Sequence, residues 1–369
     1  MNILVTGAAG FIGKNLCVFL QEAGFDNIEK ITRDDDDESI SEKVKSADFI
    51  YHLAGINRPK NDDEFKKGNT NLTQQIINTL IESERKTPIL LTSSIQAELD
   101  NPYGSSKAGA ELAVSEYQKQ TGAATYIYRL PNVFGKWCLP NYNSAVATFC
   151  HNTINDLPIT IHNPDSVLNL VYIDDVCQSF VGLLTNTSQN TEQYIYVEPI
   201  YQTTVGEVVS LLTEFKESRE NMISANVGEG FIRALYSTYI SYLAPEQFVY
   251  NVTRHSDERG TFVEMLKTKD AGQFSFFTAH PGITRGGHYH HTKTEKFLVI
   301  NGKASFKFRH ISTGESYELI VDGEESRIVE TAPGWSHDLT NIGKNELVVM
   351  LWANEIFDRE NPDTIYHKV

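Results

Sequence analysis

Tyr103 and Lys107 stand four residues apart in the run Pro102-Tyr103-Gly104-Ser105-Ser106-Lys107. On a helix that spacing stacks the two side chains on one face, about one turn apart. A buried ammonium beside a phenol favours the phenolate, so Lys107 is expected to pull the Tyr103 pKa below its ordinary value of about 10. Such a phenol can give a proton to a carbonyl oxygen at neutral pH. That chemistry has a use only where hydride reaches the same carbonyl. By itself a Tyr-x-x-x-Lys pair also arises by chance on surface helices, so the elements around it decide.

The start of the chain supplies a place for a hydride donor. Ile3-Leu4-Val5 predicts a strand, Gly7-Ala8-Ala9-Gly10-Phe11-Ile12-Gly13 a glycine turn, and Asn15 to Leu20 a helix by its apolar spacing. In that context Gly7 permits a tight turn, Gly10 lets a pyrophosphate approach the backbone, and Gly13 lets helix and strand pack closely. The helix N-terminus, with Phe11 and Ile12, then faces the phosphates. A second strand, Ile28 to Ile31, ends at Thr32-Arg33. A carboxylate near this point would hold the ribose hydroxyls of NAD; Arg33 comes first, which favours a 2'-phosphate and NADPH. Asp34 to Asp37 blur the assignment and read as a solvated loop. Asp48 to Tyr51 is a buried-type strand followed by His52, read as structural, and by Leu53, Ala54 and Gly55, past which a cofactor can run. A helix is expected over Leu72 to Ile81 and a strand over Ile89 to Ser94.

A chain of 369 residues implies two domains. The apolar-striped helix Glu229 to Leu243 is stopped by Ala244-Pro245, which sets the expected domains at 1–243 and 244–369. The formal charge of -16 argues against nucleic acid or an anionic membrane as partner. Cys17, Cys138, Cys150 and Cys177 have neither metal nor redox spacing. Met1-Asn2-Ile3-Leu4-Val5 runs straight into the glycine turn without a signal peptide, and no apolar run approaches membrane-spanning length. A soluble cytoplasmic protein is expected.

Eight of the eleven histidines fall after residue 250, so the second half has a chemistry of its own. There the apolar period changes to two. Phe297 to Ile300, the turn Asn301-Gly302, and then Ala304, Phe306 and Phe308 give a hairpin signal, and Glu346 to Trp352 another strand. Many short strands suggest a small β-barrel or jelly roll. His288 and His290 share one strand face, Glu295 follows, and His337 lies in Pro333-Gly334-Trp335-Ser336-His337. Three imidazoles and a carboxylate suit a divalent transition metal. A barrel with satisfied core histidines and no metal is the plainer alternative.

Taken in order, Gly7-x-x-Gly10-x-x-Gly13, His52-Leu53-Ala54, Asn69, Ser93-Ser94, Tyr103-x-x-x-Lys107, Arg129-Leu130-Pro131-Asn132-Val133-Phe134-Gly135 and Val171 to Val176 resemble the nucleotide-sugar branch of the extended short-chain dehydrogenase/reductase family. The resemblance implies a doubly wound parallel sheet, with Tyr103 as acid, Lys107 tuning it, and Ser94 or its neighbour Ser93 bonding the substrate oxygen. It further implies Leu53, Ala54, Asn69, Asn132 and Val133 beside the cofactor. One departure is that only eight residues separate Ser94 from Tyr103. Asn132, Asn141, Tyr142 and Asn143, with Trp137, offer amides and an aromatic face to a uridine and its sugar; a polar loop is the alternative reading.

The spacing Gly282, His288-Tyr289-His290, Glu295, Gly302 is similar to the first cupin motif, and Pro333 to Asn341 to the second, with Arg327 where a leading glycine is expected. Asp257-Glu258-Arg259-Gly260 and Arg285-Gly286-Gly287-His288 also resemble the 4-keto-sugar 3,5-epimerases, in which the matching histidine is the base; His288 is therefore ligand or base, with ligand favoured. As a whole the chain is similar to bifunctional capsular-polysaccharide enzymes that join such a reductase to a cupin. That resemblance implies a UDP-4-keto-6-deoxy-N-acetylhexosamine substrate, Zn2+ in the cupin and a homodimer. An NADP-sensing regulator without turnover, and a cupin serving only sugar binding or dimerisation, are the other classes weighed.

Overall fold

The structure is a computed structural model that describes residues 1–32, 34–59, 61–185, 192–252, 254–257, 260–263, 266–268, 272–355 and 360–369. The chain forms two compact units, and each draws on three stretches of sequence. The first takes Met1–Phe134, Asn141–Ser144 and Leu168–Thr203; the second takes Gly135–Pro140, Ala145–Val167 and Thr204–Val369. The expected division at 243/244 is therefore not where the units part. The helix stopped by Ala244-Pro245 belongs with the β-rich second unit, because its buried face packs there.

In the first unit, β1 (Ile3–Thr6), β2 (Ile28–Ile31), β3 (Phe49–His52), β4 (Ile89–Ser94) and β5 (Thr125–Leu130) form a parallel sheet in the order β2-β1-β3-β4-β5. Its strands read as near-continuous apolar runs because both faces are covered. Leu4, Ile50 and Leu91 pack into a core with Ile76, Leu80, Val114 and Tyr117. The last four come from α4 (Leu72–Glu82) and α5 (Pro102–Thr121), and α2 (Asp37–Ser46) adds Ile40 and Val44; with α1 (Phe11–Glu22) and the single turn α3 (Asp63–Phe65) these are the helices of the first half of this unit. A smaller sheet of β6 (Asn132–Phe134), β7 (Val167–Tyr172) and β8 (Tyr201–Thr204) follows, with α7 (Ile173–Thr185) packed on α1. The strand order reverses about β1, so a ligand crevice opens at the carboxyl ends of β1 and β3. The glycine turn follows β1, and Leu53-Ala54 follows β3.

The second unit begins with α6 (Ala145–Ile154), α8 (Val205–Asn221), the short β9 (Ile223–Ser224) and α9 (Gly230–Ile240). Strands β10 (Val249–Asn251), β11 (Arg254–Asp257), β12 (Gly260–Val263), β13 (Lys267–Thr268), β14 (Gln273–Ala279), β15 (Thr284–Tyr289), β16 (Glu295–Asn301), β17 (Lys303–His310), β18 (Ser316–Asp322), β19 (Arg327–Glu330), β20 (Trp335–Asn341), β21 (Leu347–Ala353) and β22 (Ile365–Tyr366) complete it. Two five-stranded sheets, β10-β19-β16-β21-β14 and β18-β17-β20-β15-β22, make a double-sheet jelly roll. The expected hairpin at Asn301-Gly302 is not one. β16 pairs with β19 and β21, whereas β17 pairs with β18 and β20. Gly302, at φ 90°, carries the chain from one sheet to the other. Alternating residues on both strands then face one interior, where the Phe297 and Phe306 rings lie 5.7 Å apart.

Among the described residues no helix is long and apolar enough to cross a membrane.

Candidate functional site

The first site is built around the glycine turn. Gly7 takes φ +68°, and a Cβ there would lie 2.8 Å from the Ala54 amide; one on Gly13 would lie 2.3 Å from the Gly7 carbonyl. Only glycine permits this approach of turn, helix and β3 loop. Gly10 caps α1 without a side-chain bond, and no acidic residue sits in the first turn at Phe11 and Ile12, so the positive end of the helix suits a phosphate. Arg33 lies outside the described residues. Its acidic neighbours are not simply solvated, as the sequence suggested. Asp35 accepts from Thr32 N at 2.7 Å and pairs with Lys43, and Asp36 caps α2 through Ser39 N at 2.8 Å.

A buried hydrogen-bond chain ties this turn to α4. Thr6 Oγ1 accepts the Leu53 and Ala54 amides at 3.1 and 3.0 Å, so its own proton goes to His52 Nδ1 at 2.8 Å. His52 Nε2 then donates to Thr73 Oγ1 at 2.8 Å, and Thr73 donates to the Asn69 carbonyl at 2.8 Å. Burial drives the His52 pKa down to about 3, so the ring stays neutral and structural. Asn69 lies on a π-helical turn, Lys66–Asn71, with Oδ1 accepting from Ile56 N at 2.8 Å and Nδ2 donating to Ser106 Oγ at 2.9 Å.

Asn101 caps α5 by accepting from Gly104 N at 2.8 Å, which places Tyr103 in the first turn and Lys107 one turn on. The short stretch after Ser94 is a 3-10 turn, Ile95–Glu98, and α5 starts hard against it. A Cβ on Gly104 would lie 2.3 Å from the Leu99 carbonyl, so glycine is what lets the helix begin so soon after β4. The Tyr103 ring packs on Phe65 at 5.5 Å. Burial pushes its phenol up, and a hydrogen bond with the Ser94 side chain pulls it back down. The expected lowering by Lys107 is thus not observed. Lys107 Nζ donates to the Thr92 carbonyl at 3.1 Å, and burial drives its pKa down to about 8 against the pull of Glu111.

Glu111, a further turn along, was not singled out by sequence reasoning. Its signal was the continuation of the Tyr103–Lys107 spacing by four more residues. Its carboxylate accepts from Arg129 Nε and Nη2 at 2.9 and 2.8 Å and from the Ser93 hydroxyl at 2.5 Å. Arg129 also stacks over Tyr194, 3.6 Å from the ring centroid. Ser93 is therefore committed to this buried ion pair, and Ser94 is the serine aimed at Tyr103.

Asn132 and Val133 lie on β6, with Asn132 exposed. Asn141, Tyr142 and Asn143 form an exposed loop in the first unit, Asn141 at φ 56°. Trp137 precedes them in the chain. It belongs to the second unit, where its ring packs on Gly334 and its Nε1 donates to His310 Nε2 at 3.0 Å.

The second site lies in the jelly roll. A register shift in the β15–β20 pairing between Gly286 and His288 turns His288 inward opposite His337. His288, His290, Glu295 and His337 offer ligand atoms all within 4.8 Å of one another. Glu295 Oε2 lies 3.2 Å from His290 Nε2 and 3.1 Å from His337 Nε2, and Oε1 lies 3.0 Å from Lys293 Nζ. Burial pushes the Glu295 carboxyl up, but the two imidazoles outweigh it and hold it well below the usual carboxylate range. Burial, with His337 and His290, drives His288 down to about 3, and burial lowers His337. Three imidazoles and an ionised carboxylate, their ligand atoms within 4.8 Å of one another, are the donor set a divalent transition metal takes. The cluster opens on a cavity of about 300 Å³ lined by Phe277, Arg285, Phe297 and Leu351 among others. Of the epimerase-like motif, Glu258 and Arg259 lie outside the described residues. Lys293 and Asp363, which touch the cluster and its loop, carried no sequence signal; Asp363 is 73 residues from His290.

Two family models match the chain. Residues 3–197 match the model of the NAD dependent epimerase/dehydratase family, and residues 255–365 that of the Polysaccharide biosynthesis C-terminal domain. The chain is 56% identical over 364 residues to a UDP-2-acetamido-2,6-beta-L-arabino-hexul-4-ose reductase of Pseudomonas aeruginosa, covering 99% of this chain and 98% of the relative. Among solved structures it is similar to the capsular polysaccharide assembling protein CapF from Staphylococcus aureus, at 40% identity and a TM-score of 0.68 over 100% of both chains. A UDP-glucuronic acid 4-epimerase of Bacillus cereus in complex with NAD shares the fold over 58% of this chain and 82% of its own, at 22% identity and a TM-score of 0.52.

Proposed function

The chain belongs to the NAD dependent epimerase/dehydratase family, and from that premise we propose that it is a bifunctional nucleotide-sugar enzyme. Its substrate is a UDP-2-acetamido-2,6-dideoxy-4-hexulose. The jelly roll inverts C3, and the first unit then reduces the C4 ketone with NADPH. The product is a UDP-N-acetyl-6-deoxy-L-talosamine-type sugar for capsule or O-antigen polysaccharide, made in the cytoplasm by a homodimer. The hexulose reductase of Pseudomonas aeruginosa and the capsular polysaccharide assembling protein of Staphylococcus aureus, to which the chain is similar, support this reading.

The nicotinamide supplies the hydride when bound. Gly7, Gly10, Phe11, Ile12 and Gly13 would hold its pyrophosphate, Leu53, Ala54 and Asn69 would flank it, and Arg33 would meet a 2'-phosphate. Ser94 holds the ketone oxygen, and Tyr103 gives it a proton as the alkoxide develops. Lys107, charged below about pH 8, favours the phenolate left behind. His288, His290, Glu295 and His337 would hold a divalent ion, Zn2+ in this proposal, which supplies a Lewis acid to the sugar's oxygens. Arg285 and the aromatic wall of the cavity would seat the nucleotide sugar there. The order of steps follows from chemistry. A C4 ketone acidifies the C3 hydrogen, so inversion is open only until reduction removes the ketone.

The observation that carries the reading is one chain holding both a Ser94–Tyr103–Lys107 constellation and a buried three-histidine, one-glutamate cluster. The test mixes the full chain, NADPH and the UDP-4-keto sugar in D2O and identifies the product by NMR. Deuterium at an inverted C3 with stoichiometric NADPH oxidation is expected. Reduction with C3 protonated and unchanged would leave the jelly roll as a sugar-binding or dimerisation module.

A further inference from the structure

The C-terminal segment runs past the histidine cluster. β22 pairs with β15, placing Tyr366 opposite His288 and Ile365 opposite Tyr289. The segment is fastened again where His367 N donates to Gly287 O at 2.9 Å and Ser336 Oγ donates to His367 O at 2.6 Å. Just before the strand, Asp363 makes two kinds of contact. Its carbonyl oxygen lies 2.5 Å from His290 Nδ1. Its carboxylate accepts from the amides of His291, Thr292 and Lys293 at 2.8, 2.7 and 2.7 Å and from Thr292 Oγ1 at 2.9 Å. Those residues are the loop between His290 and Glu295, two of the four cluster members. Arg233 braces the same place, with Nη2 on Thr292 Oγ1 and 2.7 Å from Glu355 Oε2.

A carbonyl only accepts, so His290 must carry its proton on Nδ1. Its Nε2 faces the Glu295 carboxylate at 3.2 Å, and a cation bound there would take the Nε2 lone pair only in the Nδ1–H tautomer. The carboxylate meanwhile fixes the loop that sets the spacing of His290 and Glu295. We propose that Asp363 is the positioning residue of the metal centre: one residue of the C-terminal segment sets the tautomer of His290 and the path of the His291–Lys293 loop, and so sets metal affinity. This rests on the proposed metal reading of the cluster.

The probe is Co2+ titrated into the metal-free full chain, followed by its d–d absorption, with NADPH affinity as the check on the other unit. Wild-type protein is expected to bind one Co2+ per chain. Asp363→Ala keeps the carbonyl on His290 but frees the His291–Lys293 loop; it is expected to bind Co2+ about 10–100-fold more weakly and to change the d–d band shape, which a loss of stability alone would not do. Asp363→Asn, which keeps shape and one carbonyl acceptor, should fall between them. Wild-type protein that takes up no Co2+ would overturn the metal reading itself. Wild-type uptake with an Asp363→Ala affinity and band unchanged would overturn the role of Asp363 alone. Should Asp363→Ala not fold, wild-type affinity in Asp363→Asn overturns it equally.

Discussion

Ser93 donates its hydroxyl to Glu111 Oε1 at 2.5 Å, so the two adjacent serines at the end of β4 do different things. Successive strand residues face opposite sides, and only the Ser94 side is turned to Tyr103. Ser94→Ala is expected to lower kcat for ketone reduction by about 10–1,000-fold with little change in melting temperature. Ser93→Ala should keep most of the activity yet cost about 1–3 kcal/mol, because a buried hydrogen bond to a charged group is lost. Turnover and thermal melts of both variants check this; equal kinetic damage in the two would refute the division.

Tyr103→Phe removes the proton donor and should cost reduction about two or more orders of magnitude while NADPH still binds. The pH profile reports its neighbour. Lys107 is pushed down by burial from 10.5 to about 8, so its ammonium is present below that pH and lost above it. Reduction should therefore decline as pH rises past about 8. Stability moves the other way: between about 8 and 10.5 the folded chain binds fewer protons at Lys107 than the unfolded one, so this group's destabilising share fades as pH climbs. Replacing Lys107 with Met should abolish the alkaline limb, and its persistence would assign the limb to another group.

Arg33 motivates a preference for NADPH. Asp35 and Asp36 are drawn into the start of α2 by Thr32, Lys43 and Ser39, which leaves them poorly placed to receive ribose hydroxyls. A kcat/KM ratio favouring NADPH by about tenfold or more is expected, and Arg33→Ala should narrow it. Equal use of NADH by the wild type would count against the assignment.

His290→Ala, or chelation of the metal, should abolish C3 hydrogen exchange and leave reduction of a 4-keto sugar measurable. Some loss of stability in the jelly roll should accompany it, since metal binding is partly folding energy. Following C3 deuterium and NADPH oxidation on one preparation of the full chain checks both at once. Exchange at the wild-type rate without metal would place that chemistry elsewhere.

What the sequence revealed was whatever is encoded locally. The glycine turn, the Tyr103–Lys107 face and the His288–His290–Glu295 run each depend on spacing within one or two elements, with His337 added by its own local motif on β20, and the structure brings each set together. The misreadings share the opposite cause. Asn301-Gly302 has hairpin chemistry, and nothing in its own residues says that the next strand joins the other sheet. Lys107 was expected to lower its neighbour Tyr103, but burial, which spacing does not report, raises that phenol, and it is Ser94 that pulls it back. The partner of Trp137, His310, lies 173 residues away and left no local signal. The partnership of Asp363 with His290 is equally invisible along the chain.

The three-stretch makeup of the second unit bears on how the protein can be cut. A stop codon after Leu243 would delete β10 to β22 and strip part of the cover from α9, whose Leu235, Tyr236 and Tyr239 are now 0%, 3% and 2% exposed. Tyr236 would lose Glu330, and Arg219 on α8 would lose both Glu330 and Tyr250. Such a fragment would display a sticky apolar helix face and precipitate on expression, and the complementary fragment from residue 244 would lack the helices that cover its own buried Lys296–Glu330 pair. A soluble half-enzyme would have to excise residues 135–140, 145–167 and 204–369 together, so the two activities are best dissected by point substitution within the intact chain.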